Sequence, residues 1–397
     1  DGVGIDVLAV HRGHEALVNG EFLHAVYRFA ASCNTSPAFW TSWPTPRTVL
    51  HPARAMVRVS ANRVAMVFMG CPFNPDEKDP ERNEDGLSSR FLKDASQSDL
   101  KLGRYIGLHA GFASGHRMNS SSGGIATYVF EKLLERKLVE HVVSVGQAKS
   151  GGNHYEYIVT SNVSDLKAAA KTKYYPVSLG EVITRVRDLP GRVAVSGVAC
   201  FVKALRLAQS NDAVLHEKIR FVVGIICGGV KSRHYTDYLA AKSGAEIKKV
   251  SLPRYRVKNE SSDAADYTFS CIDLRKGEEK SVRMQTIGDM WGTGLFKANA
   301  CDYCDDVMTE LADISLGDAW IKPFDRDGRG NSVIVTRSPE AEGLMCDGSR
   351  TNELQLVPLS RDMMVASQQG SFNHRHDGLY VRIRLRLMQR LATPAKR

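Results

Sequence analysis

The sequence predicts an α/β protein, with a mostly parallel sheet between flanking helices and a smaller, irregular α+β region toward the C-terminus. From about Leu102, short apolar runs rich in β-branched residues alternate with amphipathic helical patterns, as they do around parallel sheets. This alternation weakens after about Lys249 into polar, Gly-containing loops around single strands. The 397 residues, 43% of them hydrophobic and 24% charged, suffice for two or three domains with packed cores.

The first clear unit of this alternation is a helix that leads into a strand. The run from His141 to Val145 is the predicted strand. The helix precedes it and follows a Ser/Gly turn, with apolar side chains at helical spacing at Ile125, Tyr128, Val129, Leu133 and Leu134.

A second unit has the order strand, helix, strand. Residues Arg192–Ser196 and Phe221–Ile226 are predicted strands, and Phe201–Leu207 is the predicted helix between them. The second strand ends in a Gly-Gly turn that precedes a helix around Tyr235–Leu239. This order predicts a right-handed parallel crossover.

The two ends of the chain carry weaker patterns. Residues 1–95 are predicted to be irregular, with Pro-rich turns and an exposed charged loop from Asn74 to Asp85. Near the other end, Arg382, Arg384 and Arg386 alternate with apolar residues on a predicted solvated surface. Period two favours a strand there, with a basic-faced helix as the alternative. We therefore predict three regions, residues 1–95, 96–250 and 251–397.

Charge and hydropathy exclude several classes of protein. The net charge of +9 suits an acidic partner, or solubility alone. No block of consecutive basic residues and no nucleic-acid-binding motif occurs, so nucleic acid is not a predicted partner. No apolar stretch reaches the length of a membrane span, and the first residues do not form a signal peptide, so we expect a cytoplasmic protein, compatible with an oligomer. The sequence begins with Asp1 rather than Met, which is compatible with further residues upstream.

Eight cysteines in such a chain favour metal or redox chemistry over a disulfide framework. Cys301 and Cys304 form a Cys-x-x-Cys motif, whose thiolates can reach one metal centre from a single backbone turn. By itself the motif fits half of a zinc site, a redox dithiol or two ligands of an iron–sulfur cluster.

Two more cysteines follow the predicted parallel strands. Cys200 comes after the first strand and Cys227 ends the second, before Gly228 and Gly229. Because the carboxyl ends of parallel strands share one edge of a sheet, these thiols are expected near each other. With the Cys-x-x-Cys pair they make four ligands, the number that a [4Fe–4S] cluster needs. The remaining cysteines are interpreted as structural or free thiols: Cys33, Cys71, Cys271 and Cys346.

A Ser/Gly segment precedes the helix that begins near Ile125. Ser120-Ser-Ser-Gly-Gly124 offers backbone N–H groups, hydroxyls and a helix dipole, which suit a dinucleotide pyrophosphate. An ordinary serine N-cap is the alternative interpretation. Arg117 and the segment Lys171–Tyr174 could add positive charge and a stacking ring.

Taken together, these motifs resemble the family of coenzyme F420 hydrogenase and dehydrogenase beta subunits, which includes ferredoxin-dependent chlorophyll-type reductases. The similar elements follow the family's order over roughly residues 100–385. Gly197-Val-Ala-Cys200 is similar to the family's Gly-Thr-Pro-Cys, with Val and Ala in place of Thr and Pro, and Cys227-Gly-Gly229 to its Cys-x-Gly. The most specific signature is matched by Cys301-Asp-Tyr-Cys304-Asp305 together with Ala312-Asp-Ile-Ser-Leu-Gly-Asp318.

The resemblance implies FAD, one [4Fe–4S] cluster held by Cys200, Cys227, Cys301 and Cys304, and electron transfer between the flavin and coenzyme F420, ferredoxin or a partner subunit. It makes residues 96–250 the flavin-binding domain and residues 251–397 the region that completes the iron–sulfur site. The flavin-binding residues that it implies are Arg117, Ser120, Ser121, Ser122, Gly123, Gly124, Lys173, Tyr174, Arg256 and Lys258.

The sequence departs from the family's pattern before residue 100. Only Cys71-Pro72 is similar to the end of the family's ferredoxin-like N-terminal stretch, so a second cluster is not expected. Ser371-Phe-Asn-His-Arg-His376 is more similar to a branch associated with saccharide assembly. Two alternatives to an enzyme stay open. One is a zinc-stabilised or cofactor-depleted scaffold of a redox or saccharide-assembly system, and the other is an electron-transfer subunit without a substrate of its own.

Overall fold

The computed structural model describes residues 82–149, 152–391 and 393. The interpretations placed on residues 1–81, including those of Cys33 and Cys71, lie outside the described residues. The first described helix, α1, spans Glu84–Phe91, so the prediction of a loop up to Asp85 and of irregular chain up to residue 95 was wrong there. The side chain of Asn83 caps this helix by accepting a hydrogen bond of 2.8 Å from the Gly86 N–H.

The described strands form three sheets. Their bounds are β1 Gln97–Asp99, β2 Gly103–Tyr105, β3 Gly107–Ala113, β4 His141–Gln147, β5 Tyr155–Thr160, β6 Val193–Val198, β7 Ile219–Ile225, β8 Val250–Lys258, β9 Tyr267–Asp273, β10 Glu278–Arg283, β11 Ile314–Asp318, β12 Ser332–Thr336 and β13 Leu354–Pro358. The eight-stranded sheet has the order β13-β3-β12-β11-β7-β6-β4-β5. Strands β11, β7, β6 and β4 pair in parallel, and antiparallel strands extend the sheet on both sides.

Helices cover both faces of this large sheet, which confirms the predicted α/β class. After α1 they are α2 Ile125–Glu135, α3 Val163–Ala168, α4 Gly180–Asp188, α5 Ala199–Asn211, α6 Ala213–Lys218, α7 Arg233–Lys242, α8 Pro339–Arg350, α9 Arg361–Ser367, α10 Gln369–Phe372 and α11 Gly378–Met388. The predicted crossover is present, because β6 leads through α5 and α6 to β7 and the two strands pair in parallel.

The central strands are apolar along both faces because both faces are covered. Val193 and Val195 pack with α4 and α5, whereas Ala194 between them packs with α2 and α8. All three side chains are fully buried. A continuous apolar run is typical of a parallel strand between two helical layers.

The region after Lys249 is more regular than predicted. Strands β8, β9 and β10 form a three-stranded antiparallel sheet, the small sheet, and α7 packs against it through Tyr235 and Leu239. Strands β11, β12 and β13 then return to the large sheet, which thus takes strands from both sides of residue 250. The division into regions 96–250 and 251–397 stays a prediction.

The C-terminal arginines lie on a helix, so the predicted strand was wrong and the alternative holds. A π-helix, Asn373–Asp377, leads directly into α11. Arg382 is half-buried rather than solvated, because its guanidinium bonds two backbone carbonyls. Apolar Val381 and Leu385 are instead exposed. None of the helices within the described residues has both the length and the apolar character that a membrane crossing requires.

Candidate functional site

Both predicted sites lie along the carboxyl edge of the parallel strands. Cys200 follows β6 and Cys227 follows β7 at this edge. Strand β3 runs in the same direction as β7 and ends at the same edge, so Ser120–Gly124 in the next loop lies there too. Strands β3 and β7 are three positions apart in the sheet, which separates the two strand axes by about 14 Å at about 4.8 Å per strand.

The four predicted metal ligands come together. Cys227, Cys301 and Cys304 are buried, and Cys200 is half-buried. Burial raises the pKa of Cys200 well above its ordinary value, and the charges of the other three thiols raise it further. The pKa of Cys301 is raised by burial and then by the charge of Cys227. These thiols therefore lie close enough to affect one another's ionisation.

Hydrogen-bond donors surround the sulfur atoms. The Gly229 N–H donates to Cys227 Sγ at 3.3 Å, and the Val230 N–H donates to Cys301 Sγ at 3.4 Å. Gly229 has φ of +139°, a backbone conformation that favours glycine, and a Cβ there would lie 2.9 Å from the Lys297 side chain. Backbone amides aimed at ligand sulfurs are typical of iron–sulfur sites.

Sequence reasoning missed one residue of this group, Arg375. Its guanidinium is buried and donates from Nη1 to Cys304 Sγ at 3.1 Å. Burial alone would lower the pKa of Arg375, but the charges of Cys304, Cys227 and Cys301 raise it overall. A single arginine in a polar segment carries no sequence signal of this role; the π-helix that places it is visible in the structure alone.

The geometry of the thiols bears on which metal they fit. Within residues 82–149 and 152–391, no three side chains of His, Cys, Asp or Glu are arranged to hold a single metal ion. Four cysteine sulfurs are the ligand set of either a single zinc ion or a four-iron cluster.

Hydrogen bonds hold the Ser/Gly loop, Ser120–Gly124, against Asn331 and Ser332 at the start of β12. Gly124 has φ of +85° and lies immediately before α2, so the loop turns sharply into the helix. Ser122 Oγ donates to the Asn331 carbonyl at 2.7 Å, and the Gly123 N–H donates to Ser332 Oγ at 3.1 Å. Ser120 Oγ donates within the loop to the carbonyl of Arg117, and Ser121 Oγ accepts from the Thr172 N–H at 2.9 Å. The hydroxyls thus fix the shape of the loop, which differs from the expectation that they point at a ligand.

Arg117 precedes the loop and holds it in place through its side chain. Its guanidinium is buried and donates from Nη2 to Asp327 Oδ2 at 2.6 Å and to Asn331 Oδ1 at 3.1 Å. It also donates from Nε to the Gly330 carbonyl at 2.8 Å and lies 3.7 Å from the ring centroid of Phe112. These contacts fix the positive charge of Arg117 beside the loop.

Lys258 joins the loop to the small sheet. Its ammonium donates to the carbonyls of Arg117 at 2.5 Å, Ser122 at 2.8 Å and Arg329 at 2.6 Å. Burial, followed by the charges of Arg117, Arg256 and Lys171, lowers the pKa of Lys258 to about 8. The cations thus outnumber the nearby carboxylates, and an anion is expected to bind there.

Arg256 lies beside this cation cluster and is also buried. It donates from Nη1 to Asp318 Oδ2 at 2.5 Å, and its guanidinium lies 4.8 Å from the Tyr267 ring and 5.5 Å from the Trp320 ring. Its Nε is buried and has no hydrogen-bond partner in the part of the chain that the structure describes. An unpaired buried donor of this kind suits a ligand oxygen.

Lys173 and Tyr174 reach the same region from the loop after α3. Lys173 Nζ donates to the carbonyls of Ala169 and Ala170, and burial lowers its pKa to about 7. Tyr174 packs edge-on against Trp291, with the ring centroids 4.8 Å apart. Burial raises the pKa of Tyr174, and the charge of Arg256 opposes this rise. The structure therefore brings all ten predicted flavin-binding residues to one region.

Other features contribute nothing to this edge. Cys271 is buried in the small sheet and Cys346 is exposed on α8, as expected for thiols outside a site. A cavity of about 240 Å³ lies at the opposite edge of the sheet, beside Arg220 and Asp313 at the amino ends of β7 and β11. It contains none of the predicted site residues.

Comparisons with known families match most of the described chain. Residues 108–184 match the family model described as coenzyme F420 hydrogenase/dehydrogenase, beta subunit N-term. Residues 191–362 match the family model for the C terminus of the same beta subunit. The two matches together cover about three fifths of the chain.

Curated relatives are similar at lower coverage. The chain is 26% identical over 237 residues to a subunit of the F(420)H(2) dehydrogenase of Methanosarcina mazei, which covers 58% of this chain and 63% of that protein. It is 24% identical over 196 residues to the F420-dependent formate dehydrogenase subunit beta of Methanocaldococcus jannaschii, covering 49% and 48%. A coenzyme F420 hydrogenase subunit beta of Methanococcus voltae is 25% identical over 223 residues, covering 54% and 74%. The match thus spans less than two thirds of the first two relatives.

A solved structure has a similar fold. A chain of the F420-reducing [NiFe] hydrogenase complex from Methanosarcina barkeri superposes with a TM-score of 0.55 at 18% sequence identity. The superposition covers 73% of this chain and 96% of that chain. At this identity the likeness concerns the fold.

Proposed function

Because the chain belongs to the family of coenzyme F420 hydrogenase/dehydrogenase beta subunits, we propose that it is an electron-transfer oxidoreductase that carries FAD and one [4Fe–4S] cluster. The observation that carries the proposal is the shared sheet edge, where four clustered thiols and a cation-lined Ser/Gly loop follow strands of one sheet. Two redox groups placed side by side in one protein suit the passage of electrons between them.

Cys200, Cys227, Cys301 and Cys304 would hold the cluster. When bound, the cluster supplies one-electron transfer. The chain's own contribution is burial, two backbone N–H donors on the ligand sulfurs and the buried cation of Arg375. Each of the donors and the cation stabilises negative charge on the sulfurs, which deprotonated ligands require.

Arg117, Arg256, Lys258 and the Ser120–Gly124 loop would hold the flavin. When bound, the flavin supplies hydride and single-electron chemistry. The loop's amides and the start of α2 suit the pyrophosphate, and the lysine and arginine charges offset its negative charge. The unpaired Nε of Arg256 would donate to a further oxygen of the cofactor.

Coenzyme F420 is the favoured electron carrier, because the names of three relatives refer to it. Those relatives are named as subunits, so we also propose a catalytic partner subunit. Ferredoxin is the alternative carrier, and the net charge of +9 suits an acidic protein of that kind.

Cofactor content tests this proposal directly. Protein purified without oxygen is expected to contain one FAD and about four irons per chain. Its visible spectrum should show flavin bands over a broad iron–sulfur shoulder, and both should bleach with dithionite. Addition of reduced coenzyme F420 should bleach the flavin bands as well. A colourless protein with zinc and no flavin would instead support the scaffold alternative.

The pH dependence of FAD binding provides a second prediction. Lys258 has a pKa of about 8 in the free protein, and a bound pyrophosphate would raise it because opposite charges attract. FAD binding should therefore take up a proton, and affinity should fall above about pH 8, by up to about tenfold per pH unit. Calorimetry in buffers of different ionisation enthalpy measures this proton uptake.

Lys258→Arg is the matched control for this prediction. An arginine keeps its charge throughout the range, so the variant should bind FAD with a flatter pH profile between about pH 7 and 9.5. The difference between the two profiles separates Lys258 from Lys173, whose pKa of about 7 also lies near this range. Identical profiles for wild type and Lys258→Arg would count against a direct role for this lysine.

A further inference from the structure

The C-terminal segment, which consists of the π-helix Asn373–Asp377 and α11, contacts the loop that contains Cys301 and Cys304, the cysteine loop. Arg382 donates from Nε to the Asp302 carbonyl at 2.9 Å, and His376 Nε2 lies 3.0 Å from the Asp305 carbonyl. Arg386 lies over the Tyr303 ring, 5.7 Å from its centroid. This segment lies beyond residue 362, where the match to the family model ends. It therefore supplies contacts that the matched region does not contain.

Arg375 makes the most direct of these contacts. It is 2% exposed and donates from one nitrogen, Nη1, to Cys304 Sγ at 3.1 Å and to the Asp306 carbonyl at 2.7 Å. Its Nε is buried without a hydrogen-bond partner among the described residues. A buried guanidinium is costly unless negative charge faces it. The groups that face it are Cys304, Cys227 and Cys301, followed by Asp306, and the three cysteines would be thiolates when they hold a cluster.

We propose that Arg375 is a positioning residue for the iron–sulfur cluster and raises its reduction potential. The inference rests on the proposed function, because it needs a cluster at the four cysteines. Reduction adds one electron and hence one negative charge to that site. A fixed cation within hydrogen-bonding distance of a ligand sulfur stabilises the more negative form, and its low-dielectric surroundings strengthen the effect.

The geometry separates two contributions of this side chain. The hydrogen bond to Cys304 Sγ holds one ligand in place, and the charge acts on all the thiolates nearby. Arg375→Lys keeps the charge and changes the donor, Arg375→Gln keeps a donor without the charge, and Arg375→Met removes both. The potential is expected to decrease in the order wild type, Lys, Gln, Met.

Redox titration of the full chain, followed by electron paramagnetic resonance, tests the inference. Arg375→Met should lower the equilibrium constant for reduction at least tenfold, which is about 59 mV for a one-electron couple. Arg384→Met is the matched control, because this exposed arginine on α11 bonds Tyr380 and not the cysteine loop. Its potential should equal that of wild type.

The outcomes distinguish this inference from the function on which it rests. Wild-type protein without iron would overturn both. Iron-loaded wild type and Arg375→Met with equal potentials would overturn the role of Arg375 and leave the proposed function standing. If Arg375→Met fails to fold or to load iron, the Lys and Gln variants decide: a potential lowered more in Gln than in Lys supports the inference, and potentials equal to wild type in both overturn it.

Discussion

Replacing Cys301 and Cys304 together by serine is expected to abolish the iron–sulfur centre. Iron should fall from about four per chain to near zero, and the broad visible shoulder should disappear. A serine hydroxyl does not ionise at neutral pH and is a poor ligand for iron, so two of the four ligands are lost at once. FAD should remain bound, because the hydrogen bonds of the Ser/Gly loop join it to Arg117, Thr172, Asn331 and Ser332 and not to Cys301 or Cys304. Iron and flavin counts on anaerobically purified protein measure both outcomes.

Cys271→Ser is the matched control for this loss. Cys271 is also a buried thiol, but it lies in the small sheet with Ser243 Oγ as its neighbour, 3.8 Å away. The same chemical change there should leave the iron content at the wild-type level. Retention of iron by the double variant, or equal loss from Cys271→Ser, would contradict the assignment of the four ligands.

Arg117→Met is expected to show the second large effect, a loss of FAD affinity of about a hundredfold or more. That factor corresponds to about 3 kcal/mol, in keeping with the loss of a buried charge and of the loop's anchor. The variant should also be less stable by about 2–3 kcal/mol, since Asp327 loses its buried partner but stays partly solvated. Urea denaturation and the fluorescence of released flavin measure the two effects.

Arg329→Met provides the comparison for Arg117. Arg329 pairs with the same carboxylate, at 2.9 Å from Nε to Asp327 Oδ1, but its own side chain is exposed. Its replacement should leave FAD binding close to wild type. If both variants lost the flavin equally, the effect would belong to Asp327 or to general charge rather than to the buried anchor.

The sequence predicted the parts of the fold that local patterns encode. The central strands are continuous apolar runs in the sequence because helices cover both of their faces. The apolar residues of α2 repeat at helical spacing, which predicts a helix. The clustering of Cys200 and Cys227 followed from topology, since parallel strands end at one edge. The antiparallel pairings of β5, β12 and β13 could not be predicted, because strand order depends on contacts between distant segments.

The C-terminal error has a different physical origin. Arg382, Arg384 and Arg386 alternate with apolar residues as they would in a strand. In the helix, half-buried Arg382 donates to a carbonyl of the cysteine loop, a tertiary contact that the local period does not encode. Arg375 was missed for the same reason, since its partner is 71 residues away in the sequence.

The position of β3 between β12 and β13 has a consequence for biosynthesis. The contacts that shape the Ser/Gly loop join Ser122 to Asn331 and Gly123 to Ser332, each pair 209 residues apart. At translation rates of about 5–20 residues per second, the second partner leaves the ribosome roughly 10–40 s after the first. Throughout that interval the loop of the nascent chain lacks its partners Asn331 and Ser332. Cofactor loading is thus expected to be post-translational, and shortened transcripts that stop before β12 should yield polypeptide that retains no flavin.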